Sequence, residues 1–438
     1  VTTDVPARIE DFPQSRAQRR VLRVLVSAQV LSGAGLAAGV TVGALLAQDM
    51  LGSTSLAGLL SALSITGSAL AAFAVGRISQ ARGRRPGLAS GYLAGAIGSA
   101  GVIAAAVAGS PVLLFAAMFV YGAGTSTNLL ARYAGADLAA PEYRARAVSR
   151  VLVATTLGGV AGPSLAAPTG DLAHVLGIPH LAGLFMLSGA AYATAALVLL
   201  IWLRPDPLLL ARTLEAERAA TALAGPDDAE RGEGPTVEWR RSDVLVGTFV
   251  MAVTQLVMVA IMTMTPVNMH DHGHGDAASG LVIAIHIGAM YLPAPLSGRL
   301  VDLYGRLRVA TAAALVLLAA GIGAASAPSD SAVAYTGALT LLGVGWSLGL
   351  VSGTAIITDA IPPATRARAQ GWIDVVIAIA GATGGMASGL VVTAAGYPVL
   401  AVSGGLLALA IIPAVIIAAR SREASNSGTA TSRSVGAR

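Results

Sequence analysis

The sequence predicts an all-α membrane protein of twelve transmembrane helices in two pseudo-symmetric six-helix bundles. Three observations predict it. Charged residues make up 12% of the 438, about half the roughly 25% of ordinary soluble domains, and mean hydropathy is +0.72. A soluble chain cannot hide that much apolar surface. Apolar runs of about 20 residues, the length that crosses hydrocarbon, recur along the chain. The chain also repeats itself. Gly76-Arg77-Ile78-Ser79-Gln80-Ala81-Arg82-Gly83-Arg84-Arg85 returns as Gly298-Arg299-Leu300-Val301-Asp302-Leu303-Tyr304-Gly305-Arg306-Leu307-Arg308. Asp137-x3-Pro141-x2-Arg144-x-Arg146-Ala147 returns as Asp359-x3-Pro363-x2-Arg366-x-Arg368-Ala369. Both echoes stand 222 positions apart (298 less 76, 359 less 137), so the chain is two tandem copies of one unit.

The elements follow in order. Residues 1–20 form a polar, Arg-bearing tail. The first bundle, 21–203, is expected to hold spans near 22–47, 55–75, 88–108, 112–133, 147–168 and 181–203. No small-residue cleavage site follows its first apolar run, which reads as a retained span. The segment 204–243 carries Pro205, Pro207, Pro226 and Pro235 among many charges. Its part 208–223 suits a surface helix and the rest a linker. The second bundle, 244–420, is expected to hold spans near 244–266, 279–297, 309–327, 333–357, 370–394 and 398–420. A Ser/Thr/Arg-rich tail, 421–438, ends the chain.

Charge placement gives the sides. All 28 basic residues are Arg. The loops near 76–87, 134–146, 204–243, 298–308 and 358–369 hold most of them, and the alternate loops hold none. Positive loops stay inside, so both termini and the linker are expected in the cytoplasm, with the chain in the cytoplasmic membrane of a bacterium. The net charge of +5 therefore points to anionic lipid headgroups and not to nucleic acid. Without Cys, disulfides and thiol chemistry drop out. The Gly-rich strings lie inside spans, not after a strand, so no phosphate-cradling loop follows. No Ser/His/Asp set lies at a plausible depth. An enzyme is not expected, and neither is a cofactor.

The echoed basic blocks place carboxylates beside guanidinium groups at helix ends. Asp302 can pair with Arg306 or with an Arg on a neighbouring helix, and such a pair must break if the inner ends of the helices separate. Gly76, Gly83, Arg84, Arg85, Gly298, Asp302, Gly305, Arg306, Arg308, Asp137, Arg144, Asp359 and Arg366 are thus candidate inner-gate residues. The competing reading is a plain topology signal.

These blocks resemble the signature of the major facilitator superfamily, which lies between its second and third helices and again between its eighth and ninth. The second copy is complete. In the first, Gln80 stands where the family has Asp, which implies a weaker latch in that half. The Asp137/Arg144 and Asp359/Arg366 blocks are similar to the acidic-x6-Arg element after the family's fourth and tenth helices. Gly158-x3-Gly162-Pro163, in the fifth expected span, resembles the antiporter motif of the superfamily's drug:proton exchangers. There Pro frees a carbonyl and kinks the helix while the glycines permit close contact. Met118 occupies the place where those exchangers carry an Arg. The resemblance implies a monomeric secondary active transporter working by alternating access, with substrate held between the halves near mid-membrane. It implies proton-coupled efflux of hydrophobic or amphipathic small molecules, with the proton gradient as energy source. Gly158, Gly162 and Pro163 then set the tight contact that limits leak.

Further candidates come from the spans themselves. Met251, Gln255, Met258 and Met262 share a helical face, where flexible thioethers around one amide suit varied apolar ligands or simply fill a core. Tyr121, Thr125, Asn128 and Arg132 share another, and Gln29 and Trp346 are further cavity candidates. Ionisable groups inside a membrane are costly and therefore suspect. Asp374, His286 and Asp49 are the proton-coupling candidates. For Asp374 an ion pair to Arg366 or Arg368 is the alternative, and for His286 a packing role. The loop His270-Asp271-His272-Gly273-His274-Gly275-Asp276 has ligands for a divalent metal, but no second shell to orient them. His270, His272 and His274 therefore define a rival reading, metal-ion efflux. A non-transporting membrane sensor or scaffold is a rival of another class.

Overall fold

A computed structural model describes residues 13–41, 46, 50, 54–223, 241–274 and 276–420, and among them the long apolar runs are all helical. The helices are α1 (Pro13–Thr41), α2 (Thr54–Arg82), α3 (Arg84–Ala108), α4 (Pro111–Ala136), α5 (Arg144–Ser164), α6 (Ala166–Val175), α7 (Gly183–Trp202) and α8 (Pro207–Leu223). They continue as α9 (Arg241–Asp271), α10 (Asp276–Tyr291), α11 (Ala294–Tyr304), α12 (Arg306–Ala325), α13 (Ala332–Ala360), α14 (Pro363–Ala395) and α15 (Tyr397–Ala408). The chain divides into two compact units. Unit 1 is Val1–Glu238 with Pro362–Val375, and unit 2 is Trp239–Ile361 with Val376–Arg438. The first turns of α14 thus belong to unit 1.

In unit 1, α1 packs on α5 and α7, α3 on α4 and α7, and α2 on α4. Its core is aromatic. Tyr92, Tyr121, Phe185 and Tyr192 are fully buried. Tyr192 stacks on Tyr92 at 5.8 Å, and Phe185 meets Tyr121 edge-on at 5.4 Å, the offsets that ring quadrupoles favour. In unit 2, α13 is the central helix, packed against α9, α10 and α12. Its Gly343, Gly345, Gly349 and Gly353 are buried. Small residues bring backbones together where lipid offers no hydrophobic drive.

Two expectations are corrected. The basic blocks are not open turns. Residues 76–82 finish α2 and 298–304 lie in α11, and the chain turns at a single residue each time, Gly83 (φ 97°) and Gly305 (φ 90°). A side chain disfavours such a φ, so glycine makes the sharpest corner at least cost. Second, the helices over the expected spans at 147–168 and 279–297 are each interrupted by a turn. α5 stops at Ser164, with Leu165 in a turn before α6, and Pro293 caps α11 after α10 has ended at Tyr291. Nine helices among the described residues are long and apolar enough to cross a membrane.

Candidate functional site

Helix α14 begins with a polar stripe. Arg366, Gln370 and Asp374 follow one another at four-residue spacing, which stacks them on one helix face. All three are buried, at 3%, 0% and 8% exposure. Each meets a different polar group at the ends of α3 and α4. Arg366 Nη1 lies 3.5 Å from Asp137 Oδ1. Gln370 accepts from Arg84 Nη2. Asp374 Oδ1 accepts from Arg132 Nη2 at 2.7 Å and from the Tyr133 hydroxyl at 3.1 Å. Arg132 also donates to the Tyr133 hydroxyl at 2.9 Å and lies over that ring at 4.2 Å. Asp374 Oδ2 is buried too, and has no hydrogen-bond partner among the described residues.

The two repeated blocks meet each other. Arg84 donates to both Asp137 oxygens, at 2.8 and 3.4 Å. In the second copy Arg306 pairs with Asp359, at positions displaced by the same 222 residues. The pairing differs in depth: the side chains of Arg84 and Asp137 are 1% and 0% exposed, those of Arg306 and Asp359 28% and 10%. Asp302 is half-buried on α11, four residues before Arg306 and across the Gly305 corner. Arg308 is exposed, Gly298 is buried, and Arg144 is half-buried at the first residue of α5.

Backbones meet where α2 crosses the start of α14. A Cβ on Gly76 would lie 2.9 Å from the Ala367 carbonyl oxygen, and one on Gly371 would lie 2.8 Å from that of Ala72. Phe73 and Trp372 flank this crossing with ring centroids 4.7 Å apart. Gln80 uses both ends of its amide on α14. Its Nε2 donates to the Ala364 carbonyl, and its Oε1 accepts from the Arg368 N–H at 3.3 Å.

The remaining candidates are placed as follows. A Cβ on Gly158 would lie 2.1 Å from the Val30 carbonyl oxygen, so α1 and α5 touch there by backbone. Gly162 and Pro163 lie in the last turn of α5, and their side chains are outside the described residues, as is Asp49. Gln29, Asn128 and Tyr121 are closed off inside unit 1. Gln29 Nε2 donates to the Asn128 carbonyl and to Thr155 Oγ1, and Tyr92 donates to Gln29 Oε1. Ser32 bonds Asn128 Oδ1, and the Tyr121 hydroxyl donates to the Gly35 carbonyl at 2.6 Å. This network ties α1, α3, α4 and α5 together.

In unit 2, Trp346 Nε1 donates to Gln255 Oε1 at 2.8 Å, and Tyr291 meets the Trp346 ring edge-on at 5.4 Å. Met251 and Met258 are buried, while Met262 is half-buried. His286 is fully buried. Its Nδ1 lies 2.7 Å from the Leu339 carbonyl, and its Nε2 has no partner among the described residues. His272 Nδ1 and His274 Nε2 contact the Asn268 and Ser329 carbonyls at 2.7 and 2.8 Å. His270 sits in the last turn of α9. Among the described residues no three His, Asp or Glu are placed to hold a metal ion.

The residue types were visible in the sequence and their pairing was not. Asp374 was expected to pair, if at all, with Arg366 or Arg368 of its own helix. Its partner is Arg132, 242 positions away. Tyr133, Gln370 and Gly371 were not singled out. The four-residue spacing of Arg366, Gln370 and Asp374 is a signal for Gln370, and no comparable spacing marks Tyr133 or Gly371.

Comparison with known proteins agrees with this architecture. The Major Facilitator Superfamily profile matches residues 25–348 and 244–436. The MFS-type transporter YdeG of Bacillus subtilis is 51% identical over 405 residues, covering 92% of this chain and 93% of YdeG. The riboflavin transporter RfnT of Brucella anthropi is 30% identical over 365 residues, covering 82% of this chain and 86% of RfnT. Among solved structures, the human organic anion transporter MFSD10 superposes with a TM-score of 0.71 at 18% identity, covering 91% of this chain and 99% of that one. The chain therefore belongs to the Major Facilitator Superfamily, as a multi-pass secondary transporter of the membrane and not as an enzyme.

Proposed function

We propose that this transporter exports hydrophobic or amphipathic small molecules in exchange for protons, by alternating access of two six-helix halves, 21–203 and 244–420, joined by the linker 204–243 with both termini in the cytoplasm. The observation that carries the reading is the seat of α14 on unit 1. Its first turns are held there by buried charge pairs, and such contacts are strong when whole and costly when one partner is left alone. A closed seat of this kind opens only if its charges are neutralised or exchanged. Asp374 is the group to do it. One oxygen is committed to Arg132 and Tyr133, and the other is buried and unsatisfied among the described residues. A proton on Asp374 would loosen the hold of Arg132 and let the seat part. His286, with one ring nitrogen engaged and the other not, is a second proton carrier on the same grounds. The substrate side is assigned to Gln255, Trp346 and Tyr291 with Met262, an amide and two rings beside an adaptable thioether.

A second reading takes the substrate as a planar heterocycle of the flavin type. The similarity to RfnT supports it, and so does the ring pair Tyr291–Trp346. One preparation tests both. Purified protein in liposomes is given a pH gradient and either a lipophilic cationic dye or riboflavin, each followed by fluorescence. Gradient-driven dye flux is expected, and replacing His270, His272 and His274 together by Ala should leave it intact. Riboflavin flux without dye flux would move the assignment to the second reading. No driven flux of either compound would count against transport of both classes.

A further inference from the structure

We propose that α8 is a clasp on the seat of α14, and that Asp206 and Arg212 are its positioning residues. The segment after α7 reads in sequence as a linker with a surface helix, yet it is built into unit 1. Leu203 and Leu208 are fully buried and Ala211 is 8% exposed, so one apolar side of the helix is docked.

Asp206 holds two helix starts with one carboxylate. Its Oδ1 accepts from the N–H groups of Leu208 and Leu209, at 3.0 and 3.2 Å, and so caps α8. Its Oδ2 accepts from the Arg85 N–H at 2.7 Å, in the first turn of α3. Helix starts leave such N–H groups without partners inside the helix, and a carboxylate there also suits the helix dipole. Gly83 makes the arrangement possible, because a Cβ at that residue would lie 2.4 Å from Asp206 Oδ2. The corresponding Gly305 of the second copy meets nothing within 4 Å. Among the described residues the clasp is therefore a feature of the first copy alone.

Arg212, six residues further on, reaches two helix ends at once. Its Nη2 donates to the Gln80 carbonyl at 2.9 Å, in the last turn of α2, where carbonyls lack helical partners. Its Nε donates to the Pro363 carbonyl at 3.1 Å, at the first residue of α14. Asp206 anchors α8 to α3, and one arm of Arg212 anchors it to α2. The other arm is then the clasp proper. It restrains α14 from outside the polar stripe and must let go each time the seat opens.

The inference rests on the reading that α14 leaves its seat during transport, and the test separates the two. The chain has no Cys, so one introduced thiol reports alone. Ala367 is fully buried in the seat, and Ala367→Cys would react with a maleimide only when the seat opens. With Arg212→Ala added, labelling should run roughly tenfold faster, the effect of losing one hydrogen bond from a charged donor. Arg212→Lys should restore most of the parent rate, and Asp206→Asn, which leaves Arg212 in place but loosens the anchor, should fall between. Thermal midpoints in detergent keep folding defects apart from gate opening. If the parent labels slowly and Arg212→Ala labels at the same rate in a folded protein, the clasp is refuted. If neither labels in any condition, the mobile seat itself is wrong.

Discussion

Arg84 and Arg306 are the same residue of the repeat in two environments. Arg84 sits with Asp137 almost wholly out of water, whereas Arg306 is 28% exposed beside Asp359. Breaking a buried pair leaves a buried charge and costs about 3–5 kcal/mol, while an exposed pair contributes about 0–1 kcal/mol. Arg366, 3.5 Å from Asp137, softens the first loss. Arg84→Gln should therefore cost about 3 kcal/mol and Arg306→Gln about 1 kcal/mol. Thermal melts of the two purified variants check this, and equal shifts would contradict the difference in depth. Gln80 shows what charge reasoning alone leaves out. Its lack of charge implied a weak latch. The amide instead both donates to and accepts from the α14 backbone, and a carboxylate can only accept.

At the scale of elements, the two corner glycines make a matched pair. Both combine positive φ with extended ψ (97°, 170° and 90°, 153°), a region almost reserved for glycine that costs a residue with a Cβ roughly 1–3 kcal/mol. Gly305→Ala should lose that and no more, since nothing lies within 4 Å of the new atom. Gly83→Ala should lose more, because the methyl group would collide with Asp206 and break the double cap. Urea or thermal unfolding of both variants would show the inequality, and a smaller loss for Gly83→Ala would overturn the account. The α2–α14 crossing gives a second expectation. Gly371→Ala puts a methyl group 2.8 Å from a backbone oxygen of α2, so the helices must separate. Labelling of a thiol at position 367 should speed up, the same direction expected for Arg212→Ala.

At the scale of the molecule, duplication built the scaffold and departures from it mark the function. The pairs Arg84–Asp137 and Arg306–Asp359 obey the 222-residue offset. The pair Arg132–Asp374 does not. The positions matching Arg132 and Asp374 in the other copy are Thr354 and Leu152. An ion pair kept in one copy alone is where the proposed function puts transport coupling. Asp374→Asn should abolish dye accumulation driven by a pH gradient while leaving dye exchange at equal pH. Loss of both activities in a folded protein would make Asp374 structural and not a proton carrier.

Helical membrane character, the tandem repeat and the residue types of the repeated charges were legible along the chain. They rest on hydropathy and on spacing, and both are properties of neighbours in sequence. Which charge faces which was decided only by folding. Asp374 finds Arg132, Arg84 finds Asp137, and Asp206 bridges two helix starts, each across 53 residues or more. A guanidinium placed near a membrane face can be satisfied by any carboxylate brought within reach, and one-dimensional spacing does not say which helix brings it. The packing of small residues does, because backbones that touch at Gly76 and Gly371 bring Gln80 and the start of α14 within hydrogen-bonding reach.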